Sequence, residues 1–389
     1  MARDKSSIYF DFQASTPIDV PVADVMCEWI RDCCGNPHST EHSIGWAARD
    51  VVEAARSAVA SLVQADPDDV VFTSGATESN NLALFGVADR APASRETILV
   101  SAIEHSSVLE PARALATRGF HVVELPVDPE GRLCFASLDR ALSERVLLVS
   151  IGAVNNEIGV CQDLQAIGDR CRSVGALFHT DASQALTAHA LPLGTLPIDL
   201  ASLSSHKAYG PPGIGALYVA PGRVDRLAPQ ILGGTQQRGL RAGTLPTALC
   251  AGFGRACEIL ENSGAEERVQ IAILRERLWR ILAAAVPGIE LNGPTDFALR
   301  HPGNLNIAFH GIDARDLIQR LQPDIACSTG SACHSGSEEP SHVLTALGLD
   351  EQRSRSSVRL SIGRQTTSDE VERAASLIAA GIVQTLAVA

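Results

Sequence analysis

Short runs of apolar residues alternate, along the first two thirds of the chain, with stretches in which apolar positions return every three or four residues. The runs predict buried strands and the spaced stretches predict helices, an alternation expected of a largely parallel sheet covered by helices. Strands are placed at Val70 to Thr73, Thr97 to Ser101, His121 to Val127, Val146 to Val154, Ala176 to Thr180, Leu200 to Ser204 and Ile214 to Val219. Helices over Ala76 to Ala88, Ser107 to Thr117 and Leu164 to Val174 lie between them, several opening on a capping residue or an acidic first turn. Sheets of this kind bind ligands beyond the carboxyl ends of their strands, so polar motifs at those ends are the candidates for chemistry.

The pattern changes near residue 255. A long charged amphipathic helix, Ala265 to Val286, leads through Pro287-Gly288 to shorter strands at Asn304 to Phe309 and Val358 to Ser361, with helices at Ala314 to Leu321 and Asp369 to Thr385. This predicts an N-terminal arm over residues 1–20, a large α/β domain over 21–255 and a smaller α+β domain over 256–389. A helix rich in Ala and Val begins at Ser43 and packs on the large domain or returns to the small one.

With 389 residues, 45% of them hydrophobic, the chain has material for a sizeable core. Its net charge of −13 and lack of any basic run argue against direct contact with nucleic acid or an anionic membrane. No stretch nears the ~20 apolar residues of a membrane helix, and the start, MARDKSSIYF, has no apolar signal core, so the expected location is cytoplasmic. Ten cysteines are scattered without a C-x-x-C pair, and H-E-x-x-H is absent. Neither a disulfide framework nor a metal site is expected.

One count changes the picture. Of 32 basic side chains only Lys5 and Lys207 are lysines. Arginine cannot replace lysine where a deprotonatable amine is required. Lys5 lies in a polar arm, whereas Lys207 follows a buried-type strand in LASLSSHKAYGPPGIGALYV, where burial lowers an amine's pKa and frees it to form a Schiff base. A lysine capping a strand end is the plainer alternative.

Three further motifs end strands. HTDASQA places Asp181 to pair with a protonated ring nitrogen, or to cap the next helix, with Gln184 three residues on. FTSGATESNN is strand, glycine turn and helix N-terminus, with Thr77 and the amides around Gly75 and Ala76 suited to a phosphate ester or to an ordinary helix cap. IEHSSV offers His105 as a stacking face or base, or as a structural histidine.

Taken in order, SGATE, EHSSV, VNNEIGV, HTDASQA, SHKAYGPPGIGALYV, RGLRAGT, STGSACHSG and SVRLSIGR closely resemble the cysteine desulfurases of the NifS/IscS type. These are pyridoxal 5'-phosphate enzymes of the class V aminotransferase family, and the likeness runs from Tyr9-Phe10-Asp11 to beyond Arg364. The resemblance implies the fold type I of pyridoxal-phosphate transferases. It implies that Lys207 carries the cofactor, Asp181 pairs with its ring nitrogen, Gln184 donates to its phenolic oxygen and His105 stacks on it. Ala76, Thr77, Ser204 and His206 would hold the phosphate with Thr244 of a second subunit, so a homodimer is implied. Asn156 and Arg359 would orient the substrate, Arg359 by a bidentate grip on its carboxylate.

The implied reaction converts L-cysteine to L-alanine and leaves a persulfide on the enzyme, with Lys207 and His105 moving the proton. By motif the sulfur carrier is Cys333 in GSACHSG, beside His334, with Cys327 as the rival. Sulfur would pass to an acceptor protein in iron–sulfur assembly, thiolation or DNA phosphorothioation. The sequence stops at Ala389 without a longer scaffold-docking tail, which favours a dedicated pathway. The alternatives are a small-molecule transaminase or selenocysteine lyase on the same fold and, from another class, a non-catalytic scaffold.

Overall fold

A computed structural model describes residues 7–330 and 341–386. In chain order its first strands and helices are β1 (Ile8–Tyr9), α1 (Val20–Asp32), α2 (Ser43–Leu62), β2 (Val70–Thr73), α3 (Ala76–Ala88), β3 (Thr97–Ser101), α4 (Ser106–Thr117), β4 (His121–Leu125) and α5 (Phe135–Ala141). Then come β5 (Val146–Ser150), α6 (Leu164–Ser173), β6 (Leu177–Asp181), α7 (Ala185–Ala188), β7 (Leu200–Ser204), β8 (Gly215–Val219) and α8 (Thr247–Ala285). The last part holds β9 (Glu290–Leu291), β10 (Asn304–Ala308), α9 (Ala314–Arg320), β11 (Ile325–Ala326), α10 (His342–Ala346), α11 (Glu351–Arg355), β12 (Ser357–Ser361) and α12 (Ser368–Leu386).

The runs without polar interruption form one seven-stranded sheet in the order β2-β8-β7-β6-β5-β3-β4. It is mostly parallel, but β8 runs antiparallel to both β7 and β2. The short stretch from Ser205 to Ile214 holds no crossover helix, and a direct return can only reverse the strand. Two strands stop sooner than the apolar pattern predicts, because Val127 and Val154 leave the sheet for isolated bridges with Leu133 and Cys161. The segment after β5 is thereby free to turn across the carboxyl ends of the strands.

A second core surrounds the three-stranded antiparallel sheet β12-β10-β9. β1 pairs in parallel with β11, so Ile8 and Phe10 pack in this smaller core while Phe12 packs in the large one. The helix predicted from Ala265 begins instead at Thr247 and spans 39 residues, about 58 Å at 1.5 Å per residue. Its opening turns, Thr247 to Gly254, hold no charged and no exposed residue, because they are clasped by α1 and α2. A Cβ at Gly254 would lie 2.6 Å from the Cα of Ala55, so glycine sets that close approach. No helix among the described residues is long and apolar enough to cross a membrane.

Candidate active site

A cavity of about 440 Å³ opens at the carboxyl ends of the large sheet, and its wall includes Ala76, Thr77, His105, Asn156, Asp181, Gln184, Ser204, His206, Lys207 and Arg359. Lys207 ends the 3-10 turn Ser205–Lys207 that follows β7. Its Nζ donates to the carbonyl oxygens of Gln13 at 2.6 Å and Ala14 at 2.7 Å. The turn is tight: a Cβ at Gly210 would stand 2.2 Å from Ser205 Oγ. Burial, then the neighbouring Lys207, hold the His206 imidazole down at about 4, so it is neutral at pH 7, 3.2 Å from Ser204 Oγ through Nδ1.

Asp181 ends β6 with one carboxylate oxygen, Oδ2, taking a hydrogen bond from Asn80 Nδ2 at 2.7 Å and the other from the amide of Ser183 at 2.9 Å and its hydroxyl at 2.5 Å. Asn80 Nδ2 also donates to Ser107 Oγ at 2.8 Å, and Ser107 Oγ lies 2.7 Å from His105 Nδ1. That nitrogen accepts the Ser107 amide as well, at 3.1 Å, so it carries no proton. His105 is therefore the cap of α4 and at the same time the end of a relay from Asp181. Gln184 Nε2 donates to the carbonyl of Gln13.

The turn before α3 forms a cradle. Gly75 adopts φ of 147°, which favours glycine, and caps α3 without a side-chain hydrogen bond. A Cβ at Gly215 would come within 2.8 Å of the Gly75 Cα, so two glycines seat this turn on β8. The first amides of the 13-residue α3 face the cavity uncapped, a natural anion position. Glu78 in its first turn pairs with Arg241 at 2.9 Å.

The opposite wall comes from distant segments. Arg359 on β12 is 1% exposed. Its Nη2 donates to Asp11 Oδ1 at 2.6 Å and Ser328 Oγ at 2.9 Å, and its Nη1 to the carbonyls of Asn156 at 2.8 Å and Gly330 at 3.2 Å. Nε has no partner.

A family model for class-V aminotransferases matches residues 8–374. The chain belongs to that family. It is 43% identical over 380 residues to the cysteine desulfurase IscS of Colwellia psychrerythraea, covering 97% of this chain and 93% of that protein. Among solved structures, a NifS-like protein superposes with a TM-score of 0.90 at 32% identity, covering 97% of this chain and all of that one (100%). A structure described as SspA in complex with cysteine matches with a TM-score of 0.81 at 33% identity, over 93% of this chain and 100% of that one.

The family's cofactor, pyridoxal 5'-phosphate, is an aromatic aldehyde with a ring nitrogen and a phosphate ester. The cavity suits it: an amine at one side, a multiply hydrogen-bonded carboxylate at the other, and an uncapped helix start between β2 and β8. Two of the described residues named from the sequence, Thr244 and Cys327, are not in this wall. Thr244 is exposed, three residues beyond Arg241. Cys327 packs against the small core, where burial and then the charge of Asp11 push its thiol up to about 12. Cys333 lies outside the described residues. Sequence reasoning passed over Asn80 and Glu104, although both stand inside motifs it singled out, and Gln13, for which it had no local signal.

Proposed function

We propose that the protein is a cysteine desulfurase that converts L-cysteine to L-alanine, takes the sulfur onto Cys333 and passes it to an acceptor protein, most simply in the cytoplasm. One observation carries this reading: the Lys207 amine and the Asp181 carboxylate open into a single cavity whose wall includes Gly330, three residues before Cys333. Three residues of chain reach at most ~11 Å.

Pyridoxal 5'-phosphate, when bound, supplies an electron sink for the charge left on the substrate's α-carbon. Lys207 would hold it through Nζ, Asp181 would keep its ring nitrogen protonated, Gln184 would donate to its phenolic oxygen and His105 would stack on it. The α3 amides at Ala76 and Thr77, with Ser204 and His206, would take its phosphate. Arg359 and Asn156 fix the substrate carboxylate. Lys207 Nζ, backed by His105, then takes the α-proton and returns it on the way to alanine. The Cys333 thiolate forms a bond to the substrate sulfur as the carbon–sulfur bond breaks, its electron pair staying with the carbon that becomes the alanine methyl group. A buried thiol held near 12, as Cys327 is, is a poor nucleophile at neutral pH, which favours Cys333.

A second copy would complete the phosphate site with Thr244. Large apolar side chains stand exposed in the segments near it, including Ile30, Trp46, Ile231 and Leu232, the last 82% exposed. Ile231 is tied to the Thr244 segment by the Ala242 amide, and Ile30 shares a surface pocket with Leu245 and Pro246. Such a face suits a homodimer.

The test is brief incubation with L-cysteine, followed by alanine measurement and peptide mass mapping. A gain of about 32 Da, one sulfur, on the Cys333 peptide is expected. Sulfur on Cys327 alone, or full turnover to alanine in Cys333→Ser under reducing conditions, overturns the assignment. Borohydride reduction should place a pyridoxyl tag on Lys207.

A further inference from the structure

The turn from β3 to α4 carries a carboxyl that the mechanism above leaves idle. Glu104 is 4% exposed and lines the cavity. Its Oε1 accepts one amide, that of Gly152, at 2.9 Å. A Cβ at Gly152 would lie 3.1 Å from Glu104 Oε2 and 3.8 Å from the Asp181 carbonyl oxygen, which sets the acid beside the end of β6. Asp181 has three donors around its carboxylate where Glu104 has this amide and the Ser101 hydroxyl.

The charges facing Glu104 do not favour a second anion. Burial acts first, offset in part by the Gly152 amide; the Asp181 charge then adds to it, and the Ser101 hydroxyl opposes it. Together they push Glu104 up to about 8. His179 on β6 brings no positive charge, since burial holds it near 4 between Ser150 and Ser202. His105 shares its turn, His342 on α10 reaches its carbonyl oxygen at 3.0 Å through Nε2, and Glu157, His206 and Lys207 stand elsewhere in the cavity wall.

We propose that Glu104 is a positioning residue acting through Asp181: an uncharged acid in the cofactor-free chain, it releases its proton to solvent when a cationic ring docks against Asp181. This rests on Asp181 being the partner of the ring nitrogen. The direction follows from what is already complete before docking. Glu104 is desolvated in advance, so docking adds little to that, whereas a protonated ring nitrogen cancels the Asp181 charge that opposes ionisation. Only the O–H bond of Glu104 breaks, and the proton goes to water. The carboxylate left behind adds a second negative charge behind Asp181 and holds the ring in its protonated form.

Calorimetry of pyridoxal 5'-phosphate binding to the cofactor-free full chain, in buffers of different ionisation enthalpy, counts the protons released. Near neutral pH the wild type should release more than Glu104→Gln. Its affinity should rise with pH more steeply, by up to roughly tenfold per pH unit for one proton. Equal counts overturn the role of Glu104 alone. If neither protein binds the cofactor, the reading of Asp181 has failed instead.

A second arm needs no cofactor. The folded protein holds the Glu104 proton from the ordinary carboxyl value of 4.5 up to about 8. The stability this proton contributes is complete below the lower value and lost as pH rises through the upper one. The thermal midpoint of the cofactor-free wild type should fall across that window, and Glu104→Gln should fall less. Asp181→Asn, which keeps Glu104, should make that decline smaller and end it at a lower pH, because it removes a repelling charge that raises Glu104. Identical pH profiles for all three proteins overturn the proposal.

Discussion

The two walls of the cavity are built in different ways. On the sheet side each chemical group is fixed by its own neighbourhood: His105 by Ser107, Asp181 by Ser183, the α3 amides by Gly75 and Lys207 by the turn after β7. On the other side, Arg359 is held by Asp11 across 348 positions and Ser328 bonds Asp11 across 317. The first wall is placed by the large sheet, with the N-terminal segment adding only the Gln13 and Ala14 carbonyls that receive Lys207 and Gln184. The second exists only while the N-terminal segment, β11 and β12 are docked together. Cofactor chemistry is thus placed on the wall set mainly by local turns and substrate orientation on the one that depends most on assembly.

The sharpest way to break the first wall is Lys207→Ala. Losing the group that moves the α-proton should lower kcat by ~10²–10⁴-fold, while the unfolding midpoint changes little. The amine rests on two backbone carbonyls that water can satisfy in its absence. Single-turnover alanine formation and a urea melt measure the two effects side by side.

Breaking the second wall should do the reverse. Asp11→Ala leaves the Arg359 guanidinium, 1% exposed, without its counter-charge. Removing one partner of a buried pair costs about 3–5 kcal/mol. The expected result is a large loss in urea stability together with a raised KM for cysteine. Asp11→Asn, which keeps the shape and one acceptor, should recover part of the stability. If Asp11→Ala melts like the wild type, the two walls are not separate in the way described.

This contrast also explains what could be read in the sequence. The strands and the four chemical motifs at their ends were legible because each is a local pattern: an apolar run, then a turn residue, then a cap. The start of the 39-residue α8 and the roles of Gln13 and Asp11 were not, since they depend on partners far along the chain. The opening turns of α8, Thr247 to Gly254, gave no helical periodicity because they have no solvated face. Asn80 was hidden for a different reason. It lies on α3, whose apolar face is continuous around it, and its task appears only when β6 brings Asp181 to it.

Asn80 gives the smallest of these effects and the finest test of the sheet-side wall. Its amino group donates to both Asp181 and Ser107, and its buried Oδ1 has no partner among the described residues, so the amide is oriented by the carboxylate rather than by its own satisfaction. Asn80→Ala removes both bonds but leaves Asp181 its two from Ser183. At about 1 kcal/mol net for a typical hydrogen bond, and somewhat more for one to a charged acceptor, cofactor affinity should weaken by roughly tenfold. Stability should fall by no more than about 1–3 kcal/mol. Asn80→Asp is the informative companion: it nearly keeps the shape but sets a second carboxylate against Asp181, whose repulsion a cationic ring relieves, so its cofactor affinity should be stronger than that of Asn80→Ala at pH 8 and approach it as the pH falls. Equal affinities at all pH values would mean that Asn80 supports the packing of α3 and not the charge of Asp181.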